Sequence, residues 1–123
     1  MRGFKDLIVY QKAFELSMDI FETTKSFPKE EIYSLTDQIR RSSRSVCANL
    51  AEAYRKRSYI KHFLSKITDC QMENSETEVW LDFSLECKYI TEKTYTRLLA
   101  LNDEVGKLLY HIYSNPNKYG TTE

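Results

Sequence analysis

The chain has 123 residues, with 18 Lys and Arg balanced by 18 Asp and Glu, for a formal net charge of zero. That length suits one domain able to bury about two-thirds of its unfolded surface, and the neutral total argues against a protein that coats nucleic acid indiscriminately, which requires many uncompensated cations. Three glycines and two prolines, of which only Gly106 falls inside a periodic stretch, leave long helices allowed almost everywhere.

In the first segment Leu7, Tyr10, Phe14, Ser17, Phe21 and Thr24 recur at alternating three and four residues, with Ala13, Leu16 and Ile20 widening the stripe. This spacing predicts a helix over 7–25 with one buried face, begun by Asp6 as a cap and ended by Pro28, which pushes the residue before it out of helical geometry. A second helix is predicted over 30–56 from Leu35, Ile39, Ser42, Val46, Leu50 and Ala53. The small residues Ser42, Ser43, Ala48, Ala51 and Ala53 let a neighbouring backbone come close. The third, over 59–89 with Ser58 as its cap, carries Phe63, Ile67, Cys70, Asn74, Thr77, Leu81 and Ser84 or Leu85, a heptad seam with a polar middle. The fourth, over 92–114, is announced by Thr91 and built on Tyr95, Leu98, Leu101, Val105, Leu108 and Ile112, with Leu99, Leu109 and Tyr113 broadening it; 115–123 reads as a loose tail. Short connections between long helices predict an all-α, up-down-up-down antiparallel four-helix bundle forming a single domain over 1–123.

Charge is unevenly distributed along the chain. Arg40, Arg41, Arg44, Arg55, Lys56, Arg57 and Lys61 stand against one acid, Glu52, between Gln38 and His62, whereas the next stretch carries Asp69, Glu73, Glu76, Glu78, Asp82, Glu86 and Glu92 against Lys88. At about 100° per residue, Arg40, Arg41, Arg44 and Arg55 fall opposite the buried stripe of the second helix. Two readings follow: contact with phosphates, which arginine forks bind bidentately, or a solvated face neutralised by i,i+4 pairs such as Glu52 with Lys56 and by the acidic half of the third helix. Tyr54 and Tyr59 flank the second basic group, where they either stack unpaired bases or cover the rim of the core; the rim is the preferred reading.

The third helix has a second apolar group, Val79, Trp80, Phe83 and Cys87, on the side away from its seam. Left exposed it would promote association, so a second subunit is the expected cover, against a broad monomer core as the alternative. Asn49 and Asn74 lie at or beside apolar stripes, where an amide must be hydrogen-bonded, and are read as structural residues that fix helix register. Cys47, Cys70 and Cys87, odd in number and without C-x-x-C spacing, read as reduced core thiols rather than a disulfide or zinc site. His62 and His111 supply no metal-ligand spacing, the carboxylates lack a Glu-x-x-His pair, and the serine-rich SSRS has no partnered base. No enzyme, metal or cofactor is therefore expected. No apolar run reaches about 18 residues and no charged n-region precedes one at the N-terminus, so the chain reads as soluble and cytoplasmic, with no membrane partner.

FKDLIVYQKA, FPKEEIYSLTDQIRRS and SVCANLAEAYRKRS, in that order, resemble the four-helix bundle proteins encoded within intervening sequences of bacterial 23S ribosomal RNA genes. The most specific portion is Gln38-Ile39-Arg40-Arg41, then Ser45-Val46, then Asn49-Leu50-Ala51-Glu52. The resemblance implies a homo-oligomer, a pentameric barrel, and kinship with the accessory protein of diversity-generating retroelements, which uses a basic surface to bind nucleic acid and a reverse transcriptase. Ala53 stands where that family usually has glycine, and Asp69-Cys70 replaces a Gly-Ser pair, departures that bear on how closely the second and third helices pack. The expected function is thus a non-enzymatic homo-oligomeric scaffold binding structured RNA or DNA through its basic face, with a protein-interaction or structural module that binds no nucleic acid as the alternative.

Overall fold

The computed structural model describes residues 3–121. It has four α-helices, α1 (Ile8–Thr24), α2 (Leu35–Arg55), α3 (Ile60–Glu86) and α4 (Glu92–Ser114), with short 3-10 turns at Phe4–Asp6, Lys29–Glu31 and Pro116–Tyr119, and no strand among the described residues. Each helix packs on its two sequence or terminal neighbours, α1 on α2, α2 on α3, α3 on α4 and α4 on α1, which is an antiparallel four-helix bundle. Consequently one end of the bundle holds the α1–α2 and α3–α4 connections. The other holds the α2–α3 elbow together with the chain's amino- and carboxy-terminal turns.

The seams of α2 and α3 lie where the periodicity predicts them. Leu35, Ile39, Ser42, Val46, Leu50 and Ala53 are buried on α2, and Phe63, Ile67, Cys70, Asn74, Thr77, Leu81 and Ser84 on α3. The two departures from the family pattern do not hold the helices apart: Ala53 and Cys70 are both sealed in the core, and the Cys70 Sγ comes within 3.7 Å of the Val46 carbonyl oxygen. On α1 the buried centre is Val9, Ala13, Leu16, Ser17, Ile20 and Thr24, rotated from the predicted stripe so that Phe14 is half exposed. On α4 it is Leu98, Asn102, Val105, Leu109 and Ile112; Tyr95, Leu101 and Leu108 stay at the margin.

The core divides into two apolar halves, one around Ile20, Ile39, Leu81 and Leu98, the other around Val46, Leu50, Ile67 and Leu109. Between them runs a polar layer with a contribution from every helix. Ser17 Oγ lies 2.9 Å from both the Ala13 and Ser43 carbonyl oxygens, and Ser42 and Thr77 hydroxyls meet at 2.8 Å. Asn74 donates from Nδ2 to the Asn102 side-chain oxygen at 2.9 Å and to its carbonyl at 3.1 Å, and Asn102 returns a bond to the Asn74 carbonyl at 3.1 Å. A slip of α4 along α3 would leave both buried amides unpaired, so this pair fixes the register of the two helices. It also accounts for the glycine inside α4, since a Cβ at Gly106 would sit 2.8 Å from Asn74 Oδ1. Asn49, by contrast, bonds only the Ser45 carbonyl of its own helix at 3.0 Å and locks no neighbour.

Several predicted boundaries shift for identifiable reasons. Asp6 belongs to the opening 3-10 turn and Leu7, not Asp6, precedes α1, with no side-chain cap. The predicted second helix loses its first turn because Glu31 folds its carboxylate back to accept the Leu35 N–H at 3.2 Å, where the Tyr89 hydroxyl holds it at 2.8 Å. Ser58 does not cap α3; the preceding turn closes through Tyr59 N–H to the Lys56 carbonyl and α3 starts at Ile60. At its far end α3 stops at Glu86 because Lys88 enters the left-handed region at φ 63, with Tyr89 N–H bonding Ser84 O and Lys88 N–H bonding Leu85 O, both at 2.9 Å. Thr91 caps α4 as predicted, accepting the Thr94 N–H at 3.1 Å. The predicted loose tail is instead folded back over 116–119: Tyr119 packs on the core and its hydroxyl meets His111 Nδ1 at 2.7 Å.

Candidate functional site

The seven predicted basic residues do not form one surface. At the upper end of α2 the Arg40 guanidinium lies over the Phe21 ring at 4.7 Å, donates from Nε to Thr24 Oγ1 at 2.8 Å and reaches the Phe21 carbonyl at 3.4 Å. It thereby satisfies a carbonyl that the last turn of α1 leaves without a helical partner. Arg44 and Lys25 approach the same ring at 5.6 and 4.9 Å, so Phe21 is wrapped by three cations. Arg41 is exposed and pairs loosely with Asp37 at 3.8 Å. Glu73 on α3 lies within the field of Arg41; burial lifts the Glu73 carboxyl above the ordinary range, and Glu76 adds to that rise. The expected Glu52–Lys56 pair is absent, because Glu52 turns instead to Lys66 on α3 at 3.5 Å.

At the other end the picture changes. Arg55, Lys56 and Lys61 are exposed and make no ion pair with a described residue, and Lys5 of the opening turn joins them. Sequence reasoning missed Lys5 because proximity of the chain's start to the α2–α3 elbow is a product of bundle topology. Arg57 is held: its guanidinium stacks on the Tyr54 ring at 3.5 Å and its Nε donates to the Tyr54 carbonyl at 2.8 Å. Tyr54 is therefore a rim residue. Tyr59 is exposed, with only His62 edge-on to its ring. The α3 amino terminus that opens here has no acidic residue in its first turn and no side-chain cap, so its partial positive charge adds to that of the side chains. Between the opening turn and the elbow lies an open cleft of about 750 Å³ lined by Lys5, Arg55, Arg57 and Ser58 among others.

The predicted apolar group on α3 also separates. Val79 and Phe83 are about half exposed, at 46% and 54%, and Met72, which the sequence reading did not include, extends them along the same face at 60%. Trp80 turns inward and packs on the upper core, with its indole N–H buried and unpartnered, and thus belongs to the monomer's own packing. Cys87 is exposed just past the end of α3, contrary to a core position, while Cys47 is half-buried and Cys70 buried; all three are free thiols. Burial pushes the Cys47 and Cys70 thiols up, away from the thiolate that would be reactive. No group of His, Cys, Asp and Glu fit for a metal ion occurs among the described residues, and no helix of the described residues is long and apolar enough to cross a membrane.

Residues 5–111 match the family described as 23S rRNA-intervening sequence protein. The fold is similar to a crystal structure of a protein of unknown function from the S23 ribosomal protein family of Bacteroides thetaiotaomicron, with a TM-score of 0.79 and 30% identity over 87% of this chain and 96% of that one. Comparison with curated proteins gives no significant match. With the family match covering three helices and most of the fourth, the chain belongs to the 23S rRNA-intervening sequence protein family.

Proposed function

We propose that this chain is a non-enzymatic, homo-oligomeric four-helix scaffold that binds structured RNA or DNA through the basic end of its bundle. The observation that carries this reading is the difference between the two halves of the basic run: Arg40 and Arg44 lie against α1 and Arg41 pairs with Asp37, whereas Arg55, Lys56, Lys61 and Lys5 face solvent without a carboxylate ion pair among the described residues. Unpaired cations grouped at one end suit a phosphate backbone, which supplies the missing charge and releases its counterions.

Self-association is supported by the exposed stripe of Met72, Val79 and Phe83 on α3, beside Glu76, Asp82 and Glu86. A stripe of opposite character lies on α1, where Phe14, Met18 and Phe21 run toward Lys25 and Arg44. Contact between the two stripes of successive copies is heterologous, and such contacts form a ring where the rotation from one copy to the next closes. Repetition around a ring turns a cluster of four cations into a belt. The five subunits implied by family resemblance are one such ring, and a reverse transcriptase is a partner by that kinship alone.

The test is a titration of labelled stem-loop RNA and duplex DNA across salt concentrations, paired with mass measurement in solution. Combined reversal of Arg55, Lys56 and Lys61 to Glu is expected to weaken binding about 100-fold at low salt and to reduce the slope of log affinity on log salt by about 2 to 3, leaving the mass unchanged. If wild-type protein shows no salt-dependent binding and the reversals dissociate the oligomer, the alternative of a protein-interaction module stands instead.

A further inference from the structure

We infer that the cleft at the basic end of the bundle is a seat for the terminal phosphate of a nucleic-acid strand, an inference that rests on the nucleic-acid binding proposed above and assigns it a specific contact. The cleft is formed where the opening 3-10 turn meets the α2–α3 elbow, and among the described residues that line it are three cations, Lys5, Arg55 and Arg57, and one carboxylate, Asp6. Three positive charges less one negative leave +2. A phosphate monoester at a strand end carries about −1.5 to −2 at neutral pH, whereas an internal diester carries a single charge, so the balance favours the end of a strand over its interior.

The pieces differ in how they are held. Arg57 is fixed before any ligand arrives, stacked on Tyr54 at 3.5 Å with Nε donating to the Tyr54 carbonyl, and a Cβ at Gly120 would lie only 2.8 Å from its Nη1. A guanidinium so placed loses little freedom when it meets a phosphate oxygen. Lys5 and Arg55 are exposed and line the same cleft. Ser58, which sequence reasoning assigns to capping α3, caps nothing and leaves its hydroxyl as a donor at the cleft. At about 750 Å³ the space is far larger than one phosphate needs, and Phe4 in its wall gives the terminal nucleoside an apolar surface.

The experiment compares one stem-loop RNA carrying a 5′-phosphate, a 3′-phosphate or hydroxyls at both ends, with adenosine 5′-monophosphate as a separate competitor, by fluorescence anisotropy at low salt. A phosphorylated end is expected to bind about tenfold more tightly than the hydroxyl form, and the two phosphorylated forms report which end is seated. Lys5→Gln with Arg55→Gln, both at exposed positions, is expected to erase that difference while leaving the weaker binding of the hydroxyl form measurable. Equal affinity of phosphorylated and hydroxyl strands overturns the terminal seat and leaves the broader reading standing; no binding of any strand removes the broader reading itself. Binding of adenosine 5′-monophosphate with no discrimination among strands overturns the seat in favour of a free nucleotide.

Discussion

The two ends of the bundle treat charge in opposite ways. At the end holding the α1–α2 and α3–α4 connections, Arg40 and several carboxylates have protein partners: Arg40 on Thr24 and Phe21, Glu31 on Tyr89 and the Leu35 N–H, Asp82 on Tyr95 at 2.6 Å, and nearby Asp19 on Arg97 through two bonds of 3.0 and 3.1 Å, while Lys29, Lys88 and Lys93 are exposed. At the elbow end, Lys5, Arg55, Lys56 and Lys61 have no ion-pair partner among the described residues, and only Arg57 is tied down. Both ends carry arginines from one uninterrupted helix, so what separates them is the neighbour each one meets. Near the end of α1 an arginine finds carbonyl oxygens and an aromatic face, while at the elbow Arg55 faces solvent in a cleft shared with Lys5, Asp6 and Arg57. Clustering of arginine in a sequence therefore does not by itself define a binding surface.

The comparison is broken most severely by removing Arg40. Because Arg40→Ala deletes a charge-assisted bond to Thr24 and the cover over Phe21, a loss of about 2 kcal/mol is expected, seen as a fall of roughly 5–10 °C in Tm. Affinity for RNA or DNA should stay within about twofold of wild type, a change near 0.4 kcal/mol. A variant that melts normally but binds poorly would put Arg40 on the binding surface and erase the distinction between the ends.

A smaller effect separates the ends by pH. The Glu31 carboxyl is held below its ordinary value of 4.5, first by the Tyr89 hydroxyl and then by the Leu35 N–H. Since the folded state favours the ionised form, its contribution is fully present above that ordinary value and is lost as pH falls through the lower folded one. The same bond raises Tyr89 from 10.0 to about 12, so its neutral form is favoured, and that contribution holds below pH 10 and fades as pH climbs through about 12. Tyr89→Phe should therefore lower Tm between about pH 5 and 9 and converge on wild type in acid. Parallel melting curves down to pH 3 would show that the Glu31–Tyr89 bond does not staple this end.

Much of this was legible in the sequence, and the failures share a cause. The α2 and α3 seams follow strict three-four spacing, and every seam position the sequence specifies there without an alternative is buried, even though Met72, Val79 and Phe83 give α3 a second apolar face. On α1 and α4, apolar residues cover more than one face, so spacing alone could not choose between Phe14 and Val9, or between Leu101 and Asn102. Asn102 was invisible because its burial is licensed by Asn74 on another helix, a pairing that no local pattern contains. Likewise, the basic run announced itself as a cluster, but its division into engaged and free residues depends on Phe21 and Thr24, sixteen to twenty-three positions upstream of the arginines they meet. The seat at the elbow needs Lys5 and Arg55 to be neighbours across fifty residues of chain.

Arg41 offers the finest discrimination, because it stands between the two regimes. Its side chain is 71% exposed and its one ion pair among the described residues, with Asp37 one turn earlier, spans 3.8 Å. Such a pair contributes roughly 0–0.5 kcal/mol, so Arg41→Ala should leave Tm within about 2 °C of wild type. Binding then becomes the informative readout. Arg41 lies fourteen positions before Arg55, about 21 Å along the helix axis at 1.5 Å per residue, and the acidic residues Glu73 and Glu76 of α3 lie on its side of the bundle. A phosphate chain that follows the cations of the elbow would have to approach those carboxylates to reach it. Arg41→Ala is accordingly expected to leave the salt dependence of binding unchanged, whereas a slope reduced by about one would extend the phosphate path up α2 and move the boundary between the two ends to Arg40.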